Sequence, residues 1–137
     1  VSYENPWTYE GNVVDSEILD DYLGFVYIIT NVSSQKKYIG KKLLKKTKTK
    51  QVKGKKKRSL IESDWKDYYG SNKELLEEIE SQGKHNYTRV ILRLCKTKGE
   101  CNYWEAKYQF NEGVLEHDMW YNSWIMVKVH RKHLPQK

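Results

Sequence analysis

Apolar residues fall into a few blocks separated by long polar stretches, and each block has a recognisable period. Gly24-Phe-Val-Tyr-Ile-Ile-Thr30 is a continuous run of β-branched and aromatic residues, the pattern of a buried strand. Asn31 to Lys36 is a polar turn, and Lys37-Tyr-Ile-Gly40 predicts the returning strand of a hairpin, ended by Gly40. Val90, Ile91, Leu92 and Leu94 predict a further strand over Tyr87 to Cys95. Between them, Leu75, Leu76 and Ile79 recur with helical spacing over Asn72 to Gln82, with Gly83 as the stop and Ser63 or Ser71 available as caps. A second helix is expected from Gly99, where Tyr103, Trp104, Lys107, Tyr108 and Phe110 give a largely aromatic face that includes Glu105.

The remaining segments are less regular. Residues 1–22 are polar and mixed, with Pro6 and Gly11 breaking periodicity and Asp15 to Tyr22 suited to a short helical turn. The lysine-rich segment around Gly54 reads as a mobile loop, and Tyr121 to Val129 alternates enough to predict a short strand. No internal repeat is visible. Uneven alternation of strands and helices predicts an α+β fold, a small antiparallel sheet of three strands flanked by helices. The expected organisation is an N-terminal extension over 1–22 and one domain over 23–137, with a basic insertion at 41–58.

Charge adds what periodicity cannot. The 137 residues carry a formal charge of +7, placed unevenly. From Lys41 to Arg58 there are eleven basic residues and no acidic one, whereas Val1 to Asp21 is acidic. Such density implies a polyanionic partner, with DNA, RNA and anionic membrane as candidates and a merely solvated loop as the bland alternative. Eleven Tyr and five Trp against two Phe suit packing with polar tips at the surface, and also stacking on bases. No run of about 18 apolar residues predicts a membrane helix, and the N-terminus lacks a signal-peptide pattern. Two cysteines make no disulfide framework, so a cytoplasmic setting is expected. His85, His117, His130 and His133 lack the spacing of a zinc site.

Two short strings carry the chemistry. Gly24-Phe-Val-Tyr27 and Tyr38-Ile-Gly40 place Tyr27 and Tyr38 eleven residues apart on adjacent strands, a separation that can bring both phenols to one side of a sheet. Downstream stand Trp104-Glu-Ala-Lys-Tyr108, then Tyr121-Asn122, and Ser63-Asp-Trp-Lys-Asp-Tyr-Tyr-Gly-Ser71 lies between. In this order and at these distances the chain resembles the GIY-YIG nucleases, most nearly the small phage-encoded, homing-type endonucleases. The resemblance spans roughly Leu23 to Trp124.

The resemblance implies a divalent-metal-dependent DNA endonuclease that leaves 5′-phosphate and 3′-hydroxyl ends. It implies Glu105 as the ligand of Mg²⁺ or Mn²⁺, Tyr27 as the group that positions or deprotonates water, Tyr38 as its partner, and Asn122 as a further site residue. A phenol with pKa near 10 needs nearby cations to act as a base, and the surrounding lysines are expected to provide them. Members usually carry a catalytic Arg on a helix after the second string. Here Lys42 is the first candidate for that role, followed by Lys41 or Arg58, and lysine cannot make a bidentate contact. Lys41, Lys45, Lys46, Lys53, Lys55, Lys56, Lys57 and Arg58 are expected to bind nucleic acid. Specificity is expected from the core itself, a dimer or DNA structure. The alternatives are a catalytically impaired DNA- or RNA-binding module that retains the fold and, last, a protein of anionic membrane surfaces.

Overall fold

The computed structural model describes residues 3–128 and 131–134. Near its start Glu10 and Gly11 take φ of +50° and +85°, the conformation of a two-residue hairpin turn. They join β1 (Thr8–Tyr9) to β2 (Asn12–Val13). A 3-10 turn over Ser16–Asp20 follows, then β3 (Gly24–Asn31) and β4 (Lys37–Leu43). The lysine-rich segment forms β5 (Lys45–Val52) and β6 (Lys55–Glu62). After them come α1 (Lys73–Gln82), β7 (Tyr87–Cys95) and α2 (Lys98–Asn111).

The main sheet has five strands in the order β2-β1-β7-β3-β4, and β5 and β6 pair only with each other. It is mixed, because β1 runs parallel to β7 while β3 is antiparallel to both β7 and β4. This corrects the expected three-stranded antiparallel sheet. The three expected strands are there, but the N-terminal hairpin adds two through Thr8↔Val90 and Tyr9↔Ile91. Trp7 is fully buried, and its indole N–H donates to the Trp65 carbonyl at 2.7 Å. The N-terminal segment thus belongs to the core.

β3 is apolar on both faces because it lies inside the sheet with a layer on each side. Phe25, Tyr27 and Ile29 pack with Trp7, Trp65, Leu75 and Ile79, beneath α1 and the N-terminal segment. Val26 faces the other way, with Ile39, Cys95 and Cys101, under α2. Arg89 is buried at 2% exposure and donates to the carbonyls of Asn5 and Tyr68 at 2.6 and 2.8 Å, tying the N-terminal segment to the turn before α1.

Several local expectations need correction. β4 runs on past Gly40 to Leu43, because Lys41 and Lys42 continue the pairing with Val26 and Phe25. Asn72, neither Ser63 nor Ser71, caps α1 by accepting from the Leu75 N–H at 2.9 Å. Leu75 and Ile79 are buried while Leu76 is exposed, so the apolar stripe is narrower than the spacing suggests. On α2 the buried positions are Cys101, Ala106 and Gln109, and Phe110 is exposed. The basic segment is a β-hairpin, turned by Lys53 and Gly54 at φ of +51° and +77°. Residues 121–128 form no strand, and Val129 lies outside the described residues.

Candidate active site

β4 is the outer strand of the main sheet, and strand alternation sorts its side chains. Tyr38, Gly40 and Lys42 oppose Ile29, Tyr27 and Phe25, whereas Ile39, Lys41 and Leu43 belong to the α2 face. An outer strand carries a row of unpaired backbone groups, and here each is met differently. The Lys37 N–H donates to the Met119 carbonyl at 2.9 Å, and the Lys37 carbonyl accepts from Tyr121 at 2.8 Å. Two residues on, the Asn122 amide clamps Ile39, accepting from its N–H at 3.1 Å and donating to its carbonyl at 2.8 Å. Gln109 donates to the same carbonyl at 2.9 Å. Next, the Lys41 backbone N–H lies near enough to the Glu105 carboxylate to favour its charged form.

α2 supplies Glu105 by a simple repeat. Cys101, Glu105 and Gln109 stand four residues apart and so share one helical face. The helix begins at Thr97, whose hydroxyl accepts from the Glu100 N–H at 3.1 Å, while Glu100 accepts from the Lys96 N–H at 2.9 Å. The first bond satisfies a donor that a helix start leaves open, and the second ties the residue before the cap to the first turn.

A cleft of about 250 Å³ opens where β4, α2 and the segment after Tyr121 meet. Its lining includes Tyr38 and Ser71, Lys41, Glu105 and Gln109, and Asn122, Trp124 and Met126. Tyr38 and Glu105 come from opposite faces of the sheet and meet only because β4 is its edge. The Tyr38 hydroxyl is 3.4 Å from the Ser71 hydroxyl, and the Lys41 ammonium donates to Asn102.

Tyr27 and Tyr38 share a side of the sheet, with ring centroids 6.2 Å apart. They are not equivalent. Tyr27 is 1% exposed, lies edge-on to Tyr68 at 6.0 Å, and is not among the cleft-lining residues. Lys42 is also outside the lining. Its ammonium binds Asp64 at 2.7 Å and lies 4.1 Å from the Tyr68 ring centre. Of the three basic candidates for the missing Arg, Lys41 lines the cleft, and Arg58 sits midway along β6 opposite Thr49.

Burial dominates the electrostatics of both phenols. Burial pushes the Tyr27 phenol well above its ordinary pKa of 10.0, and contacts with Tyr68 and Tyr38 add to this. Tyr38 is raised too, chiefly by burial, against the lowering effect of its bond to Ser71. The groups that shift these phenols are buried surroundings, neighbouring tyrosines, Ser71 and Glu105, with no lysine among them. Glu105 is raised by burial, partly offset by the Lys41 charge and backbone N–H.

Residues 7–125 match the family described as "Putative endonuclease segE, GIY-YIG domain". The chain belongs to the GIY-YIG family. No curated protein and no solved structure matches it. The two strings of this GIY-YIG domain lie on β3 and β4, the Ser63 to Ser71 segment supplies Tyr68 beside Tyr27 and Ser71 beside Tyr38, and among the described residues no arginine lines the cleft. Gln109 escaped the sequence reading, although its place one turn after Glu105 was a usable signal.

The donor set of the GIY-YIG cleft can be tested against a metal ion. Among the described residues no group of three or more His, Cys, Asp or Glu side chains is assembled. Glu105 is the one carboxylate among the residues that line the cleft, which fits Mg²⁺, an ion commonly held by one or two carboxylates with water and substrate phosphate completing the shell. The Gln109 amide fits as well. Its nitrogen is fixed on Ile39, leaving a buried Oε1 with no partner.

The other predicted nucleic-acid residues stand apart from the cleft. Lys46, Lys53, Lys55, Lys56, Lys57 and Arg58 are exposed on the β5–β6 hairpin, and Lys45 is half-buried at its base. Among the described residues no helix is long and apolar enough to cross a membrane.

Proposed function

We propose that this GIY-YIG domain is a divalent-metal-dependent DNA endonuclease that hydrolyses phosphodiesters to 5′-phosphate and 3′-hydroxyl ends. The observation that carries this reading is the convergence of Tyr38, Lys41 and Glu105 on one cleft at the edge of the sheet. Glu105, aided by the unpartnered Gln109 oxygen, is the group to hold Mg²⁺ or Mn²⁺. When bound, such an ion polarises the phosphate and stabilises the departing alkoxide.

The protein's own groups do the rest. Tyr38 keeps its proton at neutral pH and orients the attacking water through its hydroxyl, the water's proton passing to a phosphate oxygen and on to the departing 3′-oxygen. Lys41 neutralises charge on the phosphate oxygens as a point charge. Tyr27, Tyr68 and Lys42 act behind this layer, fixing the Tyr38 ring and the backbone of β4. Asn122 positions the same strand from its outer side.

The test is cleavage of supercoiled plasmid with Mg²⁺, alongside duplex binding by fluorescence anisotropy. Glu105→Gln should abolish cutting and leave binding close to wild type. Cleavage by that variant within about tenfold of wild type, a barrier change of only ~1.4 kcal/mol, would overturn the metal assignment. A second reading, a binding module impaired in catalysis, draws on the cleft having lysine but no arginine. Wild-type protein that binds DNA yet cuts with neither Mg²⁺ nor Mn²⁺ would select it.

A further inference from the structure

The β5–β6 hairpin is exposed on both faces. From Lys46 to Leu60 every residue is exposed except Val52, which is half-buried. A two-stranded ribbon with neither face packed is marginal in water. This one also sets Lys50 directly opposite Lys57, a destabilising like-charge pair. Its base is held by the core: Leu44 is fully buried, and the Ser63 N–H donates to the Leu44 carbonyl at 2.8 Å. Beyond that base, none of the ion pairs among the described residues involves a hairpin side chain from Lys46 to Ile61.

Register then separates the side chains into two kinds. One face carries Lys46, Lys48, Lys50, Lys55 and Lys57. The other carries Thr47, Thr49, Gln51 and Arg58, with Lys56 towards the turn and Lys45, Leu60 and Glu62 towards the base. Lysines neutralise phosphates without reading sequence. Arg, Gln and Thr are the side chains that pair with base edges in the major groove, Arg with guanine and Gln with adenine.

Dimensions agree with this division. Strands of eight residues extend about 26 Å at ~3.3 Å per residue. A major groove about 12 Å wide and ~8.5 Å deep admits a two-stranded ribbon. With the threonine face on the groove floor, lysines rising from the opposite face reach the phosphate rims.

We propose that the β5–β6 ribbon enters the major groove of duplex DNA, its Thr47, Thr49, Gln51 and Arg58 face reading base edges and its five-lysine face gripping phosphates. This inference rests on the DNA-cutting reading for its substrate, but it locates sequence choice outside the cleft.

The experiment uses the whole 137-residue chain carrying Glu105→Gln, so that binding is read without cutting. Preferred duplexes are selected from a randomised pool, and affinities are measured over a range of salt. Replacing Lys48, Lys50 and Lys57 with Ala should flatten the slope of log affinity against log salt by about 2.7, near 0.9 per phosphate, while the same sequences are selected. Gln51→Ala with Arg58→Ala should weaken the selected duplex tenfold or more, leave random duplex within threefold, and blur the selected motif. In the unsubstituted ribbon, methylation of guanine N7 in the major groove should block binding, and methylation of adenine N3 in the minor groove should not.

Equal weakening of selected and random duplex by the second variant, or interference confined to adenine N3, would overturn the proposal. Failure of the nuclease reading looks different. Wild-type protein would then cut nothing, while groove interference and the divided effect of the two variants would persist and support the ribbon assignment.

Discussion

Gly40 lies directly against the phenol of Tyr27, its partner across the β3–β4 pair. A β-carbon on Gly40 would stand 2.5 Å from the Tyr27 hydroxyl and 2.8 Å from its Cζ, with a Tyr38 ring carbon at 2.9 Å. The glycine of the second string is therefore the space into which the tyrosine of the first one folds. Backbone geometry does not require it, since Gly40 is not among the residues with positive φ.

Gly40→Ala should accordingly destabilise through overpacking, by about 1–3 kcal/mol. It should also lower cleavage by tilting Tyr38. Tyr27→Phe removes the nearest atom and leaves the next at 2.8 Å, so the double variant should recover part of the loss. The measurement is a double-mutant cycle in urea, where contacting residues show non-additivity of about 0.5–3 kcal/mol. Strict additivity would mean that Gly40 matters for some reason other than room for Tyr27.

The buried phenol also sets an alkaline limit. Tyr27 is raised well above 10.0 in the fold, so above that pH the unfolded chain has released a proton that the folded chain keeps. Stability is then full below the ordinary value and is lost as pH rises towards the raised one, by up to about 1.4 kcal/mol per pH unit for one such group. Tyr27→Phe should reduce the fall in unfolding free energy between about pH 8 and about pH 11 relative to wild type. Identical falls would show that this phenol ionises inside the fold.

Much of this arrangement was legible in the sequence, and the unread parts share a cause. β3 announces itself as a continuous apolar run, β7 as an apolar block and α1 by a periodic stripe, whereas the aromatic face of α2 marks the helix without marking its buried positions. Thr8–Tyr9 and Asn12–Val13 are too short to show a period, and pairing of Thr8 with Val90 is a long-range fact that local pattern cannot hold. Lysine favours strands poorly, which hid the basic hairpin, although Thr47, Thr49 and Val52 around Lys53-Gly54 were a turn signal flanked by strand formers. The two tyrosines look equivalent in sequence. Only the position of β3 inside the sheet and β4 at its edge makes Tyr27 buried and Tyr38 accessible to the cleft. The alternation after Tyr121 misled because Asn122 meets Ile39 with its side chain in place of backbone.

Asn122 offers the test of that edge. Both polar groups of its amide are spent on Ile39, and the residue is 8% exposed. Asn122→Ala leaves the Ile39 N–H without its acceptor, a buried loss of about 1–3 kcal/mol. The expected result is lower stability, with kcat falling more than affinity for DNA changes, because Tyr38 and Gly40 flank the clamped residue. Asn122→Asp keeps the acceptor but sets a carboxylate against the Ile39 carbonyl, so it should rescue little. Unchanged urea midpoints in both variants would remove the clamp from the account.

Adjacent lysines should separate cleanly in their effects. Lys41 and Lys42 are neighbours in sequence but point to opposite faces of β4, and only Lys41 lines the cleft with Glu105. Lys41→Ala should slow single-turnover cleavage at saturating DNA by about 10- to 100-fold, ~1.4–2.7 kcal/mol of barrier, with little change in folding stability. Lys42→Ala should do the reverse. Its ion pair with Asp64 is largely solvent-exposed on the Asp side, at 71%, and such pairs contribute at most about 1 kcal/mol. Its cation–π contact with Tyr68 adds a similar amount. The loss should appear in the urea midpoint, with the cleavage rate of the folded protein within a few-fold of wild type. Lys41→Arg discriminates further: a guanidinium can bind two phosphate oxygens at once, so this variant should cut at least as fast as wild type if charge on the phosphate is what Lys41 neutralises. A large rate loss in Lys42→Ala with none in Lys41→Ala would return the role to the residue that the sequence alone favours, and would require the Asp64 pair to open when DNA binds.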